Sequence, residues 1–483
     1  MNLNYLFWDE IFSDDLIVED PDSKSEPLDI TFSRDENYNL SFEIKAAGEE
    51  SREFTKRLRD KSPDILNVNS RHGGIIAEFH DVFFSQNIWT PKEITMKGDV
   101  SEIRLRYNVN KDAEAKTIIY WFLSNIKNTD IVFTRHSNFK TSGKAELKIE
   151  GIANDIIEIP ILEESTGWDI MVLELNNKKF CLGTVSEKYT GKDYKGILLR
   201  FDDKNFPTDE EIKTITNFLS FICGGILIPV GYIKFGDKYS ILEQVYKSNF
   251  YKDVKKIMML SPMPAIPLDS KYIRREKISF AQIEEQLSSI LKKYSDNEQA
   301  LILDKIIVYL KCARLSFLEV TLQPLTTAID LLQQIFFKGK KTSSQGKYLK
   351  DEQYSEILSK YLESIEKDLD GCLEKNIILN KIKKANNYTL SDREKRFFDE
   401  IGLKIGDIEN AILMERNKSI HGIIGKRDYD RLLALTYGAY ALTNRIILKL
   451  LDHRGCYVDY STHEFPYRNI DEALKGPEGK GTI

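Results

Sequence analysis

The feature that most constrains this chain is a change of hydrophobic period part-way along it. Up to about residue 235, apolar residues recur at every second position, as at Leu40, Phe42 and Ile44, at Ile103, Leu105 and Tyr107, and at Leu147 and Ile149. A period of two sends successive side chains to opposite faces of a strand, so one face is buried and the other is wet. Residues 258–269, MMLSPMPAIPLD, then bring three prolines that disfavour both helix and central strand, and beyond them the period is 3.6. A run of strands followed by a run of helices predicts an α+β chain, with its main boundary at this proline-rich segment.

Within the first part, GGIIAEFHDVFF, TIIYWFL, DIVFTRH, IIEIPIL and GILLRF are predicted strands. WDIMVLELNNKKFCLGTV places Asn176-Asn177-Lys178 between two apolar runs, which suits a hairpin because asparagine tolerates positive φ. So many short strands predict a sandwich or barrel-like domain. PTDEEIKTITNFLSFI, residues 207–222, has proline and acids at its start and helical spacing after them, so one helix is expected on the sheet.

In the second part, Ser295 with Glu298 and Ser391 with Glu394 have the spacing of capping boxes. Leu325, Ile329, Leu332 and Phe336 form one helical stripe, and Tyr354, Ile357, Leu358, Tyr361, Leu362 and Ile365 form another. A last helix from about Tyr429 to Leu451 is apolar over so wide a face that deep burial is expected. The expected organisation is a β-rich sensor or regulatory domain at 1–245, a linker with connecting helices at 246–320, an all-α bundle at 321–455 and a loose tail at 456–483, ending GPEGKGTI.

Composition narrows the class. With 42% hydrophobic and 30% charged residues, neither disorder nor a membrane protein is favoured. No apolar stretch approaches the ~20 residues that span a bilayer. MNLNYLFWDEIF lacks the basic start and cleavage site of a signal peptide, so cytoplasmic residence without a membrane partner is the expectation. Cys181, Cys223, Cys312, Cys372 and Cys456 are odd in number and unpaired in spacing, and are expected as packed structural thiols. His72, His80, His136, His453 and His463 have no partner at zinc-ligand spacing and are expected to be structural or exposed. SGKAE and GKGTI lack the phosphate-loop pattern, and no metal or cofactor is expected. Residues 321–455 hold 23 Lys+Arg against 19 Asp+Glu (+4), leaving 46 against 56 (−10) elsewhere. An acidic body with a mildly basic end fits an attached nucleic-acid module, and ordinary surface variation gives the same balance.

One stretch suggests chemistry: ERNKSIHGIIGKRDYDRLL, with Arg416, Asn417 and, five residues after the arginine, His421. A guanidinium holds a phosphate with a planar donor fork, and an imidazole moves a proton near neutral pH. The helix carrying them is predicted to begin near Asp407, to bury Ile408, Ile412 and Ile420, and to end at His421, with Gly422 as its left-handed cap. At about 100° per residue Asn417 and His421 share a face, whereas Arg416 lies about 140° from His421. Either the last turn unwinds at Gly422 or a second copy completes the site across a two-fold axis. The second is preferred, because it also explains why one chain brings so few catalytic groups. Without catalysis, Arg416 would simply pair with Glu409 or Asp430 near a helix C-terminus.

The basic loop-like stretches KGKKTSSQGK, with Lys338, Lys340 and Lys341, and KIKK at 381–384 are candidates for tracking an RNA backbone, as are Lys418, Lys426 and Arg427 beside the motif. Solvated loops and surface pairing explain them equally.

Arg416-Asn417-Lys418-Ser419-Ile420-His421, late in a helical bundle and followed by another long helix, resembles the HEPN superfamily of ribonucleases over about residues 321–455. A large strand-rich part joined to such a domain looks like the ApeA-type abortive-infection proteins of bacteria. The resemblance implies a homodimeric, metal-independent endoribonuclease of antiphage defence, whose β-rich part senses a phage component. Arg416 would stabilise charge on the scissile phosphate, His421 would act as general acid or base, and Asn417 would orient His421 or bind a phosphate oxygen. Attack by a ribose 2′-hydroxyl would leave a cyclic phosphate end, and single-stranded RNA loops such as those of tRNA would be the substrate.

Overall fold

The computed structural model describes residues 16–481 apart from 20–26, 48, 62, 91–92, 108–112, 127–131, 135–137, 141–143, 148–156, 160–169, 186–195, 203–204, 238–239, 250, 252, 340–346 and 421–428. Two compact units emerge: the first is Met1–Pro264 with Leu268–Lys292, and the second is Ala265–Pro267 with Lys293–Ile483. In place of a separate connecting region at 246–320, those residues divide between the two.

The first unit is built on one sheet of fourteen described strands, every neighbouring pair antiparallel. The period of two is realised directly: Leu40, Phe42, Ile44 and Ala46 of strand Leu40–Ala47 are buried. Four strand-to-strand steps separate that strand from Ile75–His80, about 19 Å across a flat sheet. Yet the rings of Phe42 and Phe79 are 6.1 Å apart. Phe32, five steps from Tyr246, likewise has its ring 6.1 Å from that tyrosine. This part of the sheet is therefore rolled around one core, which Phe32, Phe42, Phe79 and Tyr246 share. Arg34 fastens the roll, since its Nη2 donates to the carbonyls of Val230 and Lys247 at 3.0 and 3.3 Å.

Thr117–Ser124 is buried at all eight positions because it lies between Gly196–Asp202 and Leu227–Phe235 deep in the sheet. A bulge between Pro229 and Gly231 requires glycine: a Cβ at Gly231 would stand 1.9 Å from the Val245 carbonyl oxygen. Ile170–Leu175 and Lys178–Val185 form the expected hairpin, with both Asn176 and Asn177 at positive φ (52° and 62°). The segment 132–134 of DIVFTRH is not a strand; Val132 and Thr134 donate instead to the carbonyls of Leu268 and Ile170.

Among the helices, α1 is Glu49–Lys61 and α2 is Asp209–Ile222, the latter packed on the sheet as its sequence indicates. Thr208 and Glu211 form a capping box at its start. Burial alone would raise the Glu211 pKa, but hydrogen bonds from Lys178, the Thr208 amide and Asn176 outweigh it and hold the carboxylate low. Then follow α3 (Val254–Met258), α4 (Ser270–Glu276) and α5 (Phe280–Asn297).

The second unit holds α6 (Leu303–Leu315), α7 (Leu318–Gly339), α8 (Asp351–Asp368), α9 (Lys375–Lys383), α10 (Leu390–Glu400), α11 (Asp407–Ile420) and α12 (Tyr429–Leu450). The α7 stripe is packed, with Leu325, Ile329 and Leu332 wholly buried, and α12 is buried along most of its length. Several expectations need correction. Ser295 lies inside α5 and caps nothing, while α6 starts from Ile302 in the left-handed region. The capping box of α10 is Thr389 with Asp392, two residues before Ser391 and Glu394, because the threonine hydroxyl accepts from the Asp392 amide. The α8 stripe forms, but none of its residues is fully buried. Cys312 and Cys372 are exposed rather than packed.

The largest correction concerns 456–481, which is not a loose tail. Strands Cys456–Val458 and Tyr467–Asn469 pair, and Tyr457, Val458, Tyr460, Ile470 and Leu474 are buried. Asp459 at its centre is wholly buried, and it accepts from Arg468 Nε at 2.7 Å, from Thr462 Oγ1 at 2.9 Å and from the Ser461 amide at 3.0 Å. A segment without helical period is thereby ordered by aromatic burial and a satisfied carboxylate.

Candidate functional site

The helix that carries Arg416 and Asn417 is fixed at its base. Ile408 and Ile412 of α11 pack at Gly438 of α12, where a Cβ would stand 2.9 Å from Ile412 Cδ1, so the two helices approach closely. One turn away, Glu409 and Arg445 form an ion pair in which both side chains are 0% exposed. Arg445 Nη1 donates to Glu409 Oε1 at 2.5 Å, and Nη2 donates to the carbonyls of Lys404 and Ile470 at 3.0 and 3.2 Å. Glu409 also accepts from the amides of Gly406 at 3.0 Å and Leu474 at 2.8 Å. The guanidinium carbon stands 5.0 Å from the Tyr457 ring centroid. A carboxylate and a guanidinium so paired and hydrogen-bonded are tolerated in a core, and here they join α11, α12 and the C-terminal segment.

Helix phase places the motif on this frame. The buried residues Ile408, Glu409, Ile412 and Leu413 span an arc of about 140°, and the Arg416 position falls inside it at about 80° from Ile408. The Asn417 position falls about 40° outside that arc. The helices run antiparallel, Glu409 meeting Arg445 and Ile412 meeting Gly438. One further turn along α11 therefore brings the Arg416 position level with about residues 432–436 of α12. There the buried Thr436 hydroxyl has no hydrogen-bond partner among the described residues. Tyr429, Asp430 and Arg431, at the start of α12, are exposed.

The backbone of Arg416, Asn417 and Lys418 belongs to α11, and their side chains lie outside the described residues. His421, Gly422, Lys426 and Arg427 lie outside them altogether, as do Lys340 and Lys341. Lys338 is exposed near the end of α7. His453, by contrast, is buried and structural: its Nε2 is 3.1 Å from the Cys456 carbonyl, and burial holds its pKa below the ordinary 6.5.

Two groups escaped sequence reasoning. Arg445 lies in the middle of an apolar helix, at a phase that must be buried, and that placement alone implied a buried acidic partner. Burial pushes the ammonium of Lys311, on α6, down to about 8, with no sequence signal beyond its apolar neighbours. Among the described residues no helix is long and apolar enough to cross a membrane, and no three histidine, cysteine or acidic residues are grouped to hold a metal ion. No family model, curated protein or solved structure matches the chain.

Proposed function

We propose that the chain is a metal-independent endoribonuclease with a HEPN-like helical domain. It acts in antiphage abortive infection, cleaving host RNA, with tRNA loops as the favoured substrate, once the β-rich unit meets a phage component. The observation that carries the reading is the Arg416-Asn417 pair at the end of α11, a helix whose base is held by the buried Glu409–Arg445 pair, with His421 following directly. Since Glu409 is committed to Arg445, Asp430 is left of the two partners that would make Arg416 merely structural.

In the proposed reaction His421 takes the proton of a ribose 2′-hydroxyl, and the oxygen attacks the adjacent phosphorus as the bond to the 5′-oxygen breaks. The leaving oxygen takes a proton from a second imidazole or from water, and Arg416 balances the charge gathered on the phosphoryl oxygens. Asn417 orients His421 or binds a phosphate oxygen. Because the helix phases of Arg416 and His421 differ by about 140°, the complete site draws on two copies of the chain. The test is an RNA substrate in EDTA: cleavage leaving a 2′,3′-cyclic phosphate is expected, and an unchanged rate on a substrate deoxy at the cleaved nucleotide would overturn the mechanism.

A second reading, a β-rich recognition module whose helical unit serves only for dimerisation, is favoured by the uncovered apolar residues of α8. It predicts no cleavage under any of these conditions.

A further inference from the structure

The helices α8 and α9 form an antiparallel hairpin, in which Tyr354 Oη donates to the Ile382 carbonyl and the Asn386 side chain bonds both the amide and the carbonyl of Leu349. The hairpin has almost no core of its own. On α8 no residue is fully buried, Ile357 is 48% exposed and Tyr361 is 61% exposed; on α9 only Leu379 is buried, Ile377 is exposed, and Leu373 before it is wholly exposed. An 18-residue helix with an apolar stripe draws its stability from what that stripe meets, so such exposure marks a surface made to be covered.

The charges say by what. Helix α8 has six acids (Asp351, Glu352, Glu356, Glu363, Glu366, Asp368) against Lys360 and Lys367, and α9 has Lys375, Lys381 and Lys383 with no acid. Exposed Lys381 lies four residues from Ile377, on the same helix face. We propose that this hairpin is where two copies of the chain pair about a two-fold axis, the acidic α8 of one protomer lying on the basic α9 of its partner, with Ile357, Tyr361, Leu373 and Ile377 enclosed between them. A surface that carries both signs side by side is complementary to itself under a two-fold rotation, and each copy then supplies both halves of the match. A nucleic acid would meet the basic α9 but be repelled along α8. The pairing stands on this surface chemistry and does not depend on the nuclease reading.

Sedimentation velocity of the intact chain at micromolar concentration is expected to give a dimer. Tyr361→Glu combined with Ile377→Glu should raise its dissociation constant by about a hundredfold or more, with an unchanged circular dichroism spectrum because both positions are exposed. Should that variant fail to fold, Lys381→Glu is the second arm: it should weaken the dimer severalfold at low salt and lose this effect at 1 M salt. A parent chain that stays monomeric at tens of micromolar, with or without an RNA oligonucleotide bound, would overturn the proposal, and so would a dimer indifferent to both variants.

Discussion

Replacing Glu409 by glutamine tests whether the buried pair fixes the helix that carries the motif. The substitution keeps the shape of the side chain and one acceptor oxygen, but it removes the negative charge that balances the Arg445 guanidinium, wholly out of water, and turns an amide NH2 toward the backbone amide of Gly406 or Leu474. Breaking one partner of a buried pair costs about 3–5 kcal/mol, a large fraction of the ~5–15 kcal/mol by which a domain is stable. With a urea slope of about 2 kcal/mol per molar, the unfolding midpoint of the second unit should fall by roughly 2 M. The assay separates the units, because Trp8, Trp89, Trp121 and Trp168 all lie in the first and the long helices lie in the second. The helical signal at 222 nm should therefore shift while tryptophan fluorescence does not. Glu409→Gln with Arg445→Met, removing both charges, should cost less than Glu409→Gln alone. A shift of the helical transition below about 0.3 M, or an equal shift in both signals, would refute the argument.

Other outcomes follow from the same physics. His453 is held neutral by burial, so the unfolded chain binds its proton first; this contribution to stability is present above pH 6.5 and is lost as the pH falls through 6.5 toward the lower folded value. The loss of stability between pH 7.5 and 5.5 should be smaller in His453→Gln, and equal slopes would argue against a buried neutral imidazole. Lys311→Met should stabilise the second unit by about 1–3 kcal/mol at pH 7, since a cation held at a pKa of about 8 instead of 10.5 is costly to keep charged. The parent's stability should rise between about pH 8 and 10.5, and the variant should lack that rise, both measured by urea titration.

How far the molecule was legible in its sequence depended on the range of the interaction. Local rules sufficed for the Asn176-Asn177 turn, the Thr208 cap of α2 and the start of α11 at Asp407, each decided within a few residues. The roll of the sheet was not legible, because it rests on pairings such as Leu16–Val18 between Leu28–Arg34 and Ile65–Ser70, and on Arg34 reaching Val230. Overlapping signals misled at α10, where Thr389-Asp392 and Ser391-Glu394 are both valid capping boxes by spacing and only one fits the backbone. The C-terminal segment was missed because periodicity is silent where order comes from Tyr457, Tyr460 and a buried Asp459. For the candidate site the sequence supplied Arg416 and Asn417 on one helix, and the structure puts the backbone of both in α11. Helix phase implied a buried acidic partner for Arg445 but not which one, because Glu409 is 36 residues away in sequence.

The central claim is that Arg416 and His421 cut RNA. Purified parent, Arg416→Ala and His421→Ala chains, incubated with tRNA in EDTA and resolved on a denaturing gel, test it most directly. Fragments are expected from the parent alone, with both variants folded and at least about a hundredfold slower. Parental cleavage by both variants, or an intact substrate with the parent itself, would contradict it.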